Sequence, residues 1–273
     1  MNKQRLFFGN GKVANIISRP NDIVLSRRDC DIRDITTIKK MLLAHKPTVV
    51  INSAAKTNLE YCQTNKQEAF ESNTVGVLNI LEACKELKIK FVHISSGCLF
   101  DGNETVSTEE SSPTPKVWYT WTKTWADQAI EQYGYDNYLI LRPRQLISKF
   151  PHPTNMLTKF LALESISAIK EPNSLTCVED FGEMVEHLIE INAKGIYNCC
   201  NDGVITPYEI ALALKESIKP SLIVTECSYE EFLSKIPNKR VNTILSNQKL
   251  KDSGYQPRTA TSALNWCISN YGK

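Results

Sequence analysis

The sequence predicts an α/β fold: a doubly wound parallel sheet with a smaller C-terminal domain. Three observations predict it. Short apolar runs alternate with longer amphipathic ones through the first 142 residues, the pattern of strands and helices in turn. The short runs are rich in branched and aromatic residues, as strands covered on both faces are. After "LRPRQLISKFPHPTN" the alternation gives way to proline-punctuated segments of irregular spacing.

The first strand is "RLFF", and "FFGNGKVANII" sets Gly9 and Gly11 between it and a helix. Glycine lets a backbone turn tightly and approach a pyrophosphate, which then lies on the helix N-terminus. The spacing is G-x-G-x-x-A, with Ala14 where strand and helix pack closely. Two glycines are common at such joints, so the weight of the motif comes from its place at the first strand–helix junction. The second strand, "DIVLS", ends without an acidic residue at Leu25 or Ser26 to read a ribose hydroxyl. Arg27 and Arg28 follow instead, and guanidinium suits the 2′-phosphate of NADP(H). A solvated basic turn is the plain alternative.

Helix "ITTIKKMLLAHK", strand "TVVIN", helix "KQEAFESNTVGVLNILEACKELK", strand "FVHIS", helix "WYTWTKTWADQAIEQYG" and strand "YLILR" complete the alternation. "KGIYNCCN" reads as one more strand of the same sheet. Residues 1–147 therefore form a cofactor-binding domain to which 174–202 partly returns, and 148–273 form the substrate-binding domain.

Two stretches carry chemistry. "HISSGCLFDG" runs out of a strand into two hydroxyls and a thiol, where the plain reading is a polar turn beside a buried cysteine. "YTWTK" stacks Tyr119 and Lys123 on one helix face. A free tyrosine titrates near ~10, and a neighbouring ammonium lowers that value. A lone Y-x-x-x-K is usually an ordinary amphipathic helix, but this one lies on the helix that follows the "SSGC" strand end.

The segments "GNGKVA", "INSAAKT", "SNTVGVLNILEAC", "HISSGCLFDG", "YTWTK" and "LRPR" stand in the order found in the extended short-chain dehydrogenase/reductases, and the chain resembles that Rossmann-type family over nearly its whole length. Within it the resemblance is to sugar-nucleotide 4-keto reductases related to the dTDP-4-dehydrorhamnose reductases. It is nearest the bifunctional 3,5-epimerase/4-reductases that make UDP-L-rhamnose in plants and some large viruses. "SGCLF", "PTNMLTKF", "PNSLTCVED", "GIYN" and "PNKRVNTILSNQKL" narrow it to that group. The resemblance implies a hydroxyl–tyrosine–lysine set at Ser96, Tyr119 and Lys123. It also implies a cofactor lining of Gly9, Asn10, Gly11, Val13, Asp31, Ile32, Ala54 and Ala55. Lys123 would also hold the nicotinamide ribose. In the epimerising members a cysteine stands at the position of Cys98, which with Lys159 would exchange protons at C3 and C5 of UDP-4-keto-6-deoxy-D-glucose. Asn155, Arg240 and Asn242 are the implied nucleotide-sugar contacts. The first turn departs from the family's usual G-x-x-G-x-x-G by being one residue shorter and ending in alanine.

Charge and composition exclude other classes. The 32 basic and 30 acidic residues give a net charge of +2 without blocks, so neither nucleic acid nor an anionic membrane is an expected partner. No apolar run reaches the ~18–20 residues of a membrane span, and the N-terminus enters a strand too soon for a signal peptide. Nine cysteines without CxxC spacing and scattered His45, His93, His152 and His187 imply reduced thiols, no metal site and a cytoplasmic location. A homodimer is a candidate assembly. A 4-reductase without epimerase activity and a non-catalytic NADP-binding regulatory subunit remain the alternatives.

Overall fold

The computed structural model describes residues 4–102, 106–236, 238 and 242–273. In chain order the first half contains β1 (Arg5–Phe8), α1 (Lys12–Ile17), β2 (Ile23–Leu25), α2 (Ile35–His45), β3 (Val49–Asn52), α3 (Leu59–Thr64), α4 (Lys66–Phe70), α5 (Gly76–Leu87), β4 (Lys90–Ile94), α6 (Trp118–Gln132) and β5 (Tyr138–Arg142). The second half contains β6 (Leu146–Ile147), α7 (Met156–Leu161), β7 (Ser165–Ala168), β8 (Thr176–Cys177), α8 (Val178–Glu190), β9 (Gly195–Asn198), α9 (Pro207–Ser217), β10 (Ile223–Glu226), α10 (Tyr229–Ser234), α11 (Gln248–Asp252) and α12 (Ala260–Ser269).

The chain divides into two compact units. The first comprises Met1–Leu99, Pro113–Arg142 and Leu188–Tyr197. Its sheet has the order β2-β1-β3-β4-β5-β9, and β1 pairs in parallel with both β2 and β3. Strands β1 and β3 are buried throughout, which is why their sequences run apolar without alternation. Leu6, Phe8, Val50, Phe91 and Ile140 of the sheet pack against Ile38 and Leu42 of α2, Val77, Ile80 and Leu81 of α5 and Ile130 of α6. Each such side chain contributes roughly 1.5–3 kcal/mol on burial, which anchors the strand ends that carry the site.

The long helix expected over "KQEAFESNTVGVLNILEACKELK" is interrupted by a π-helical turn at Glu71–Val75. The wider turn swings two side chains toward neighbouring elements. Asn73 Nδ2 donates to Thr122 Oγ1 at 3.1 Å, and Thr74 Oγ1 donates to the Thr122 carbonyl at 2.8 Å. Gly76 resumes the helix where a Cβ would lie 2.6 Å from Ile32 Cγ1.

The second unit comprises Phe100–Ser112, Pro143–His187 and Asn198–Lys273. It holds the parallel pairs β7–β10 and β6–β8. Leu157, Leu175, Cys177, Ile210, Leu214, Leu264 and Cys267 form its core. Helix α9 starts on a Thr206–Glu209 capping box with proline next in line, so its first backbone donors are satisfied. Leu188–Tyr197, within the 174–202 span expected to return in part, belongs to the first unit. Among the described residues no helix is long and apolar enough to cross a membrane.

Candidate active site

The chain after β1 proceeds to β2 on one side and reaches β3 on the other, so the carboxyl ends of β1 and β3 flank a topological switch point. A cleft of about 310 Å³ opens there. Of the residues implied to hold the cofactor, Gly9, Asn10, Gly11, Arg27, Asp31, Ile32, Ala54 and Ala55 line it, together with Cys30, Ser53, Lys56 and Ser72, which sequence reasoning missed. Ser53 and Lys56 flank the alanine pair of "INSAAKT", the one signal that could have found them. Val13 is half-buried on α1 and Arg28 is exposed, and neither lines the cleft.

The local geometry suits a dinucleotide. Gly9 has φ +97°, and a Cβ there would sit 2.7 Å from the Ala54 nitrogen, so only glycine lets β1 and β3 approach. A Cβ on Gly11 would meet nothing within 4 Å, which leaves open backbone at the start of α1. Asn73 braces the β3 loop by accepting from Lys56 N at 2.7 Å and donating to its carbonyl at 2.9 Å. Arg27 reaches Glu68 Oε1 at 3.2 Å and Asp31 Oδ2 at 3.4 Å. The Tyr61 hydroxyl and Lys56 hold the Glu68 carboxyl down at about 2, and Arg33 holds Asp31 well below the usual carboxylate range. Arg27 therefore meets ionised partners at neutral pH.

A second group of side chains lies at the end of β4 and the start of α6. Thr120 Oγ1 accepts from Lys116 N and Val117 N, both at 3.2 Å, and fixes the helix start beside Tyr119. Ser96, Tyr119 and Lys123 are all buried, and the Ser96 hydroxyl lies near enough to the Tyr119 phenol to act on its pKa. Cys98, half-buried in the short turn after β4, donates its backbone N–H to Ser96 Oγ at 3.2 Å. Burial, then the nearby Cys98 thiol, push the Tyr119 phenol up, while Ser96 opposes them. In net the phenol's pKa is raised, where a lowering was expected. Lys123 Nζ lies 2.9 Å from His93 Nε2 and donates to the Ile94 carbonyl at 3.0 Å. Burial lowers Lys123 to about 8, against a smaller opposing effect of Asp127. His93 was missed because a histidine in a strand reads as core.

Of the implied substrate contacts, Asn155 and Asn242 belong to the second unit. Asn155 is fully buried and caps α7: its Oδ1 accepts from Leu157 N at 3.2 Å, and Nδ2 donates to the Ser148 and Phe150 carbonyls at 2.7 and 2.9 Å. Both its amide protons are spent, so it braces the loop before α7 rather than presenting a free donor to a ligand. Lys159 is exposed on α7. Asn242 accepts from Asn173 Nδ2 at 3.0 Å, and Arg240 lies outside the described residues. Cys177, Glu179 and Cys267 bring potential ligand atoms within 4.8 Å of one another, although no metal site was expected. The two sulfurs are 3.5 Å apart, and hydrogen bonding to Cys177 together with burial pushes the Cys267 thiol up.

Fold and site together define a parallel-sheet α/β protein of Rossmann-like build with a serine–tyrosine–lysine group beyond one strand end. The RmlD substrate binding domain family matches residues 13–272, and the chain belongs to that family. It is 28% identical to a bifunctional dTDP-4-dehydrorhamnose 3,5-epimerase/dTDP-4-dehydrorhamnose reductase of Arabidopsis thaliana, over 81% of this chain and 76% of that protein. It is also 28% identical to a trifunctional UDP-glucose 4,6-dehydratase/UDP-4-keto-6-deoxy-D-glucose 3,5-epimerase/UDP-4-keto-L-rhamnose-reductase of the same plant, spanning 81% of this chain but 34% of the larger protein. A dTDP-4-dehydrorhamnose reductase from Bacillus anthracis, solved in complex with NADP, superposes with a TM-score of 0.88 at 22% identity over 99% of each chain.

Proposed function

We propose that this protein is an NADPH-dependent reductase that converts the C4 ketone of a nucleotide-linked 4-keto-6-deoxy sugar to an alcohol. The observation that carries the reading is the buried Ser96–Tyr119–Lys123 group in the same unit as the glycine-turned cleft. On this reading the first unit binds NADP(H) and the second binds the nucleotide sugar, with Asn242 among its contacts. When bound, the reduced nicotinamide supplies the hydride for C4.

Tyr119 gives its phenolic proton to O4 as the alkoxide forms. The phenol carries its proton at neutral pH before reaction, as a donor must. Ser96 hydrogen-bonds the same oxygen and favours the charge that develops there. Lys123 in its ammonium form stabilises the phenolate left behind. Arg27, in the cleft, would meet the 2′-phosphate that separates NADPH from NADH. The exposed Trp121 and Phe70, clustered with Trp125, offer an apolar surface for a homodimer.

A second reading adds 3,5-epimerisation before reduction. It is favoured by Cys98, which lies close enough to Tyr119 to raise the phenol's pKa. A ketone at C4 acidifies the C3 and C5 hydrogens, and Cys98 and Lys159 would remove and return them on opposite faces. Incubation with 4-deuterated NADPH and either UDP- or dTDP-4-keto-6-deoxyglucose, or the corresponding 4-keto-rhamnose, tests both readings. Deuterium at sugar C4 supports the reductase. Turnover of the 4-keto-rhamnose alone limits the protein to reduction, and turnover of neither overturns both.

A further inference from the structure

We infer that His93 is a positioning residue for the reduction: it bridges Asn52 and Lys123, holds the lysine amine against β4, and governs when that amine takes up a proton. The inference rests on the reading of Tyr119 and Lys123 as the reducing pair.

Asn52 and His93 sit opposite one another in the β3–β4 pairing, and both are fully buried. Their polar atoms form a chain whose direction can be worked out from one fixed donor. The Ala54 backbone N–H can only donate, and it meets Asn52 Oδ1 at 3.1 Å. The other end of that amide, Nδ2, therefore faces His93 Nδ1, at 3.2 Å. Nδ1 must accept, which puts the proton of a neutral imidazole on Nε2. That N–H points at Lys123 Nζ, 2.9 Å away.

An amine with a lone pair completes this arrangement, and an ammonium does not. Charging Lys123 requires His93 to move its proton to Nδ1 and Asn52 to turn its amide, which faces the Asn52 NH2 toward the Ala54 N–H. Protonation of the lysine is thus linked to a rearrangement of buried hydrogen bonds, each worth about 0.5–1.5 kcal/mol net. A charged imidazole offers no easier route, because burial and the neighbouring lysine keep His93 neutral well below its usual range. The other titratable group bearing on Lys123 is Asp127, one helical turn along α6, whose carboxylate Arg142 binds from β5. Among the described residues Tyr119, with Cys98 and Cys62 acting on it, adds the further titratable groups of the cluster.

The test compares His93→Gln and His93→Phe with the natural protein by two readouts. One is the titration of the Lys123 amine, followed by NMR in ligand-free protein carrying 15N-lysine and assigned by its loss in Lys123→Arg. The other is the pH dependence of NADPH oxidation with the 4-keto sugar nucleotide. A glutamine amide oxygen can accept from the ammonium at the place of Nε2 and is free of Asn52. His93→Gln should therefore raise the Lys123 titration by about one pH unit and carry the high-pH fall in rate upward with it. His93→Phe should lower kcat at least tenfold, with the NADPH Kd changed less. A Lys123 signal that titrates at the same pH in His93→Gln and the natural protein overturns the inference. A shifted signal with an unchanged rate profile upholds the His93–Lys123 link and overturns the role of Lys123 in the reaction instead.

Discussion

Arg142 Nε and Asp127 Oδ2 face one another 3.0 Å apart in the interior of the first unit, with both side chains sealed from solvent. The pair ties the end of β5 to α6, the helix that carries Tyr119 and Lys123. Removing one partner leaves a buried charge uncompensated, which typically costs about 3–5 kcal/mol, whereas an apolar pair of similar volume is often neutral. Arg142→Met should therefore lower the denaturation midpoint strongly. The double variant Asp127→Leu/Arg142→Met should recover much of the loss, and chemical denaturation of the three proteins measures both effects.

Cofactor preference separates the two neighbouring arginines. Arg27 lines the cleft and Arg28 does not, although both stand in the same turn. Arg27→Ala should raise the KM for NADPH at least tenfold and leave the KM for NADH nearly unchanged. Arg28→Ala should alter neither by more than about twofold. Steady-state kinetics with each nucleotide provide the check, and equal losses for NADPH and NADH in Arg27→Ala would remove the assignment.

The two glycines of the first turn should also fail differently. Gly9 is in the left-handed region against Ala54, so Gly9→Ala strains the β1–β3 contact and should lower the melting temperature as well as NADPH affinity. Gly11 has ordinary backbone angles and open space around it. Gly11→Val should leave the melting temperature within a few degrees while weakening NADPH binding at least tenfold, as read by fluorescence titration.

How much of this was legible in the sequence depended on whether the signal was local. Tyr119 and Lys123 were legible because a four-residue spacing on a helix fixes a shared face. The glycine turn was legible because its constraint lies within one strand–helix joint. His93 was not, since its partners Asn52 and Lys123 meet it only through the register of β3 with β4 and the docking of α6. The π-helical turn at Glu71–Val75 was hidden because apolar residues keep a helical recurrence across it. Asn155 was assigned to a ligand, but an asparagine directly before "MLTKF" is also an N-cap signal, and that is how it folds.

Cys98 distinguishes reduction with epimerisation from reduction alone. If its thiol moves protons at C3 or C5, Cys98→Ala should abolish deuterium exchange from heavy water at one or both positions. Reduction of a 4-keto-rhamnose nucleotide should continue, because neither hydride transfer nor Tyr119 requires the thiol. Mass spectrometry and NMR of the recovered sugar measure both. A natural protein that exchanges neither position leaves Cys98 as packing beside Tyr119.

The central claim is that Tyr119 protonates O4 as hydride arrives at C4. The most direct measurement is the rate of NADPH oxidation with a 4-keto-rhamnose nucleotide, in the natural protein and in Tyr119→Phe, with NADPH affinity determined for both. Loss of a positioned general acid costs ~10²–10⁴-fold in rate. The account predicts a fall of that size in kcat with NADPH binding retained, since the ring keeps its shape and the phenol is not part of the cleft. A Tyr119→Phe protein that turns over at the natural rate would contradict it, and would move the reducing site away from Ser96 and Lys123.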